Sequence, residues 1–327
     1  MKVVLSFSGS FPRDEGVAKI HSMRKSGEID DTSFIDKIAT KELKLLNLLE
    51  ALGFSQSTDG MLWSDDIINP VVSMSNVGVN GLVRFFDNNF FLRAPIVKES
   101  ISFREGKYIN WIIKIREKLK EKNKLELKVA FPGPATLSLF SQNSFYPSSK
   151  DLVIAWGESF LFPLIERLKK EGFSTFEIHE PAMTSRRTSR EMKQAASEEL
   201  SNLFENFKTS NFILLTYFDL SLRDWNTLLK VVRPNSILGI DLHVRNSRKA
   251  VEALSEIGEK RIYMGALNSR NPIRERASFI KKWIFRARDL GFNEIFVGNN
   301  APMDFIPPKW AISKLRKLSN VVSGMRW

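Results

Sequence analysis

Short β-rich runs recur along this chain with amphipathic segments between them, and that alternation restricts the fold more than any other feature. The runs fall at residues 2–7, 53–57, 128–131, 175–178, 212–216, 237–242, 261–266 and 294–297. Apolar residues spaced by three and four predict helices over 151–172, 188–208, 221–232, 247–258, 272–291 and 307–318. Thr188 with Glu191 reads as a capping box, Asn271-Pro272 puts a proline in a first helical turn, and Gly172, Gly258 and Gly291 close helices. A run such as Ile237-Leu238-Gly239-Ile240 is apolar on both faces, as a parallel sheet requires. Eight such units without a Gly/Ser/Pro-rich linker predict one (β/α)8 TIM barrel over residues 1–327 rather than an open doubly wound sheet. The longest excursion, residues 58–123, separates the second and third strands. It contains a hairpin-like aromatic stretch at 82–97 and a helix over roughly 101–122, and reads as an insertion over the barrel mouth.

Composition narrows the chemistry. With 327 residues and 43% hydrophobic content, the chain can bury a large core. No apolar stretch approaches the ~18 residues of a membrane span, and the N-terminus lacks a small-residue cleavage site, so a cytoplasmic protein with no membrane partner is expected. The absence of cysteine excludes disulfides, a thiol nucleophile and any thiolate metal site. Lys and Arg exceed Asp and Glu by 49 to 37, a net +12, but the excess is spread over solvated helix faces. It suits an anionic ligand or an acidic partner; nucleic acid is not expected.

Barrel chemistry sits at the C-terminal ends of the strands. Arg13 and Asp59 follow the first two runs, His179 and Glu180 the fourth, and Asp219 the fifth. Asp241, His243 and Arg245 surround the end of the sixth, and Arg270 follows the seventh. These residues are expected to converge on one polar mouth, with Glu180 and Arg245 facing the same cavity and pairing. Two histidines with a carboxylate could bind a metal, and Glu180 with Asp219 could supply a carboxylate pair. No Gly-x-Ser-x-Gly elbow or phosphate loop occurs.

The motifs FSGSFPR (7–13), TDGMLWSDD (58–66), LVRFFDNNFF (82–91), FPGPATLSLF (131–140), FEIHEPAM (176–183), LLTYFDLSLRDWNTLL (214–229), LGIDLHVRN (238–246) and YMGALNSRN (263–271), in this order, resemble cobalamin-independent methionine synthase. That family's enzyme is a tandem of two related barrels, and the motifs here are closer to the N-terminal, non-catalytic one. The catalytic barrel holds zinc through His-x-Cys, a Glu and a distant Cys. Here His243 stands at the first ligand's position and Arg245 at the second's. The resemblance implies no cofactor in this chain and zinc in a partner chain, a catalytic methionine synthase barrel. It implies that Arg84, with Arg13 or Lys19, holds a polyanionic methyl donor, a folate polyglutamate or relative. The family's Asp-Glu-Pro reads His179-Glu180-Pro181, keeping Glu180. The chain is thus expected to be the N-terminal-barrel subunit of a two-chain methyltransferase, active only with its zinc-bearing partner. The alternative is a self-contained barrel enzyme acting on an anionic small molecule through His179, Glu180, His243 and Arg245.

Overall fold

The computed structural model describes residues 1–88, 90–120 and 124–325. The strands are β1 (Lys2–Ser6), β2 (Phe54–Ser57), β3 (Gly78–Arg84), β4 (Phe91–Val97), β5 (Glu126–Leu127), β6 (Val129–Pro132), β7 (Gln142–Asn143), β8 (Thr175–His179), β9 (Asn211–Thr216), β10 (Ser236–Asp241), β11 (Arg261–Leu267) and β12 (Glu294–Asn299). The main sheet runs β5-β2-β1-β12-β11-β10-β9-β8-β6, all parallel. Its two ends are halves of one strand interrupted at Lys128, whose N–H donates to Ser57 O at 2.7 Å. The first half pairs with β2 and the second with β8, so the sheet closes on itself as an eight-stranded (β/α)8 barrel. The strands are buried and mostly apolar, with Ser6, Lys128, Glu177 and His179 among the buried polar exceptions.

All eight predicted runs are barrel strands, and Gly172, Gly258 and Gly291 end helices at φ +80°, +82° and +88°. Several helix boundaries differ from the spacing argument. The segment read as one helix over 151–172 is Ser149–Trp156, a π-helical turn Gly157–Leu161, then Phe162–Lys170. Pro163 has no N–H to continue the ladder, and the wider turn accommodates it. The helix expected from Thr188 starts at Arg190, because Ser189 is the residue whose side chain accepts from Met192 N. The helix expected from Pro272 starts at Ala277. Glu275 holds the preceding loop by accepting from Asn268 N at 2.8 Å and Lys314 Nζ at 2.6 Å. Two helices not anticipated, Glu15–Lys25 and Asp31–Ala51, connect β1 to β2, each capped by an aspartate, Asp14 and Asp30. In the excursion, β3 and β4 form an antiparallel hairpin extended by β7, and a helix spans Lys107–Lys120. Among the described residues no helix is long and apolar enough to cross a membrane.

Candidate functional site

The interior just below the C-terminal strand ends is charged. Lys128 Nζ lies 2.6 Å from Glu177 Oε2 and 2.9 Å from Ser6 Oγ, and Tyr263 OH lies 2.7 Å from Ser8 Oγ. Lys128 and Glu177 come from neighbouring strands, whereas the Lys128–Ser6 and Tyr263–Ser8 contacts join strands that are not sheet neighbours and so cross the barrel interior. Glu177 Oε1 accepts from Gly9 N and His179 Nε2, each at 2.7 Å. His179 Nε2 therefore carries a hydrogen, and its Nδ1 faces Tyr217 OH at 3.2 Å. Lys128, Glu177 and His179 are fully buried. Burial alone pushes the Glu177 carboxyl up, but the Lys128 and His179 charges and hydrogen bonds prevail and hold it at about 2. Gly9, at φ +67°, admits the turn that aims its N–H at Glu177; a Cβ there would stand 3.0 Å from His179 Cε1.

Glu180 turns away from this interior. Its carboxylate accepts from Ala135 N at 3.0 Å, Thr136 N at 2.7 Å and the Thr136 hydroxyl, capping the helix Pro134–Phe140 from a neighbouring strand end. Gly133 makes room, since a Cβ there would meet Glu180 Oε2 at 2.0 Å. Burial pushes this carboxyl up to about 7 against those hydrogen bonds. Arg245 is exposed, so the expected Glu180–Arg245 pair does not form. The carboxylate is committed to the start of the neighbouring helix Pro134–Phe140, whereas Arg245 lies on the loop beyond β10.

The other strand-end residues also separate. Asp241 is buried and structural: Oδ1 accepts from His243 N at 2.9 Å and Asn300 Nδ2 at 2.8 Å, and Oδ2 from Phe218 N at 3.3 Å. His243 bonds Ala266 O through Nε2 at 2.8 Å and stacks on Phe279 at 5.0 Å, against an outer helix rather than the mouth. Asp219 lies half-exposed at the rim, 3.6 Å from Arg186. Asp59 is buried, with Oδ1 on Met61 N and no partner at Oδ2, and burial pushes it up to about 7. Hence His179, Glu180, His243 and Arg245 do not share one pocket. Nor do the residues fit a thiolate-bound zinc: cysteine is absent, His243 is spent on Ala266 and Phe279, and Arg245 can only repel a cation. Among the described residues no group of three or more His, Asp and Glu could hold a metal ion.

The hairpin tip closes the mouth. Phe85 and Phe86 are buried against Phe140 at 5.3 and 5.1 Å and against Phe218 at 6.0 and 5.8 Å, and Phe90 meets Phe305 at 5.5 Å. Phe86 and Phe218 hold φ of +51° and +78°, conformations that cost a non-glycine residue about 1–3 kcal/mol. Beside this plug two cavities adjoin at Phe90, Asp304 and Phe305. One, of about 460 Å³, is bordered by Arg13, Ser10, Asp65 and Asp66, and the other, of about 480 Å³, by Arg84, Asp87 and Arg270. Arg13 is tied to Asp65 at 3.2 Å and to Ser64 O; Arg84 Nε donates to Asn88 O at 2.7 Å; the Arg270 guanidinium lies 4.9 Å from the Phe218 ring centre. The structure thus brings Arg13, Arg84 and Arg270 to one rim. Lys19 is exposed on the helix Glu15–Lys25 and lines neither cavity.

Lys128, Glu177, Tyr217 and Tyr263 are not among the site residues expected from the sequence. The available signal was a Lys and a Glu inside otherwise apolar runs, where burial demands a partner of opposite charge.

Comparison with known proteins places this arrangement. The profile described as cobalamin-independent synthase, N-terminal domain, matches residues 75–288. A methionine synthase of Pyrococcus furiosus is 20% identical over 324 residues, covering 98% of this chain and 92% of that protein. One of Sulfolobus acidocaldarius is 20% identical over 321 residues, covering 97% and 89%. In fold, the chain resembles a B12-independent methionine synthase from Shewanella sp. W3-18-1, solved with selenomethionine, at a TM-score of 0.80, 16% identity and coverage of 99% and 98%. With the family profile spanning more than half its length, this chain belongs to the cobalamin-independent methionine synthase family, through that family's N-terminal domain.

Proposed function

We infer that this chain is the non-zinc barrel of a two-chain, cytoplasmic cobalamin-independent methionine synthase. It engages a polyanionic methyl donor at its rim, while a partner barrel carries zinc, homocysteine and the methyl transfer. The observation that carries this reading is the pairing of two features at one mouth. The positions corresponding to the family's zinc ligands are a histidine spent on an outer helix and an exposed arginine, in a chain without cysteine. The adjoining cavities instead set Arg13, Arg84 and Arg270 around an aromatic wall. Guanidinium groups fit carboxylates bidentately, and the Phe90 and Phe305 rings offer apolar surface for a flat conjugated ring. Two relatives named methionine synthase, those of Pyrococcus furiosus and Sulfolobus acidocaldarius, match over 92% and 89% of their length, so chains of one-barrel size carry that name elsewhere.

The self-contained alternative loses its support, because its four residues point to four different surroundings. The test is Arg84→Glu in the pair reconstituted with its zinc-bearing partner. Uniform binding lost from a remote anionic tail raises the apparent donor KM and leaves kcat nearly unchanged. The expected rise is about tenfold at low salt. It shrinks at high ionic strength, since exposed charges more than about 8 Å apart are screened at ~0.15 M. An unchanged KM with normal folding removes Arg84 from the donor site.

A further inference from the structure

A large cavity lies outside the barrel and reaches the rim of the mouth only at one end. It is a groove of about 1090 Å³ between the helices Arg190–Asn206 and Leu222–Leu229. Every residue lining it is polar or charged, whereas small-molecule pockets are mostly apolar. Six cations border it: Arg186, Arg190, Lys193, Arg223, Lys230 and Arg233. Three carboxylates share it, and two of these are already engaged within it. Asp224 pairs with Lys193 at 2.8 Å, and Glu205 with Arg233 at 2.8 Å. Among the described residues no carboxylate pairs with Arg190, Arg223 or Lys230. On the floor, Thr188 is 6% exposed and its hydroxyl has no partner, although a buried hydroxyl ordinarily finds one.

We propose that this groove binds an extended, acidic peptide segment of a protein partner. The length fits. From Arg190 to Glu205 the lining follows the helix for about 22 Å at 1.5 Å per residue, which accommodates about seven residues of extended chain at ~3.3 Å each. Charge sets the sign of the ligand, since the groove carries six cations against three anions. The remaining lining distinguishes peptide from nucleic acid. No aromatic side chain is present to stack a base, and Glu198, Asp224 and Glu205 would only repel a phosphate backbone, which has no hydrogen to donate. A peptide offers N–H donors to those carboxylates and carbonyl acceptors to Thr188, Gln194 and Asn226, while its own acids meet Arg223 and Lys230. At one end the groove reaches Arg186, which pairs with the rim residue Asp219, so a bound segment emerges beside the mouth. The inference stands on the groove itself and holds whether or not the donor reading above is right.

The test is fluorescence anisotropy of the whole chain with a labelled ten-residue peptide of alternating Glu and Ser, beside a 12-base-pair RNA duplex. The peptide is expected to bind at low salt and to weaken as salt rises. Charge reversal of the exposed pair in R223E/K230E is expected to weaken it at least tenfold with an unchanged melting temperature. Thr188→Val, which fills the same space without the hydroxyl, is expected to weaken it severalfold. Peptide binding that survives R223E/K230E would overturn the proposal. So would an RNA duplex that binds more tightly than the peptide and is lost in the same variant.

Discussion

Lys128 and Glu177 show most clearly what a single residue does in this molecule. A Lys–Glu pair buried in a barrel interior recovers its desolvation only while both partners are present. Lys128→Met is therefore expected to destabilise the fold by about 3–5 kcal/mol, because it strands the Glu177 carboxylate. In a double-mutant cycle read from urea denaturation, K128M/E177L should lose clearly less than the sum of K128M and E177L, although Gly9 N and His179 also lose their acceptor; losses that add would mean the pair is not coupled. Asp59 is the second case. Its folded carboxyl titrates near 7, well above its unfolded value, so the native state holds a proton that the unfolded chain has already released. Stability therefore falls as pH rises from about 4 to about 7 and flattens above that window. Asp59→Asn removes the titration, and its melting temperature relative to the parent should be higher at pH 8 than at pH 5. The difference is worth on the order of 2–4 kcal/mol for a shift of about three units. An equal offset at both pH values would show that Asp59 is ionised throughout. Neither role was legible in the sequence. Lys128 and Asp59 read as a strand residue and a strand-end ligand candidate, and only the closed barrel shows what each one faces.

At the scale of elements, the strands were legible because apolar runs bounded by turn residues leave few alternatives, and the closing glycines marked where helices stop. The helix starts were less so. Ser189 and Thr188 are both competent caps, and which one serves depends on the loop geometry behind Glu180. The pre-helix segment at 272–276 is held by Glu275 and Lys314, partners 39 residues apart that no local window sees. Glu180 explains a motif the sequence could only match: its carboxylate starts the helix Pro134–Phe140, and Gly133 is there to let it in. Gly133→Ala should cost about 2–4 kcal/mol by displacing that cap and crowding its site. In a double-mutant cycle, G133A/E180A should be little worse than E180A alone, since the clash and the cap are the same event. Additive losses would place the strain of Gly133→Ala elsewhere.

Over the whole molecule, the alternation of strands and helices specified a barrel, and the order of weak motifs specified its family. The site was only partly legible. Position along the chain placed these residues near one end of the barrel, but whether a side chain at a strand end turns inward, outward or onto a helix start depends on contacts from other units. Arg13, Arg84 and Arg270 gather at one rim, while His243 and Arg245 diverge from Glu180. We propose that this barrel supports methyl transfer without performing it. The direct measurement is methionine formation from homocysteine and a methylated folate-type donor, with this chain alone, with its zinc-bearing partner alone, and with both at equal concentration. No turnover is expected from this chain alone and, in the mixture, at least tenfold more than with the partner alone. Turnover by this chain alone that the partner does not increase would contradict the proposal.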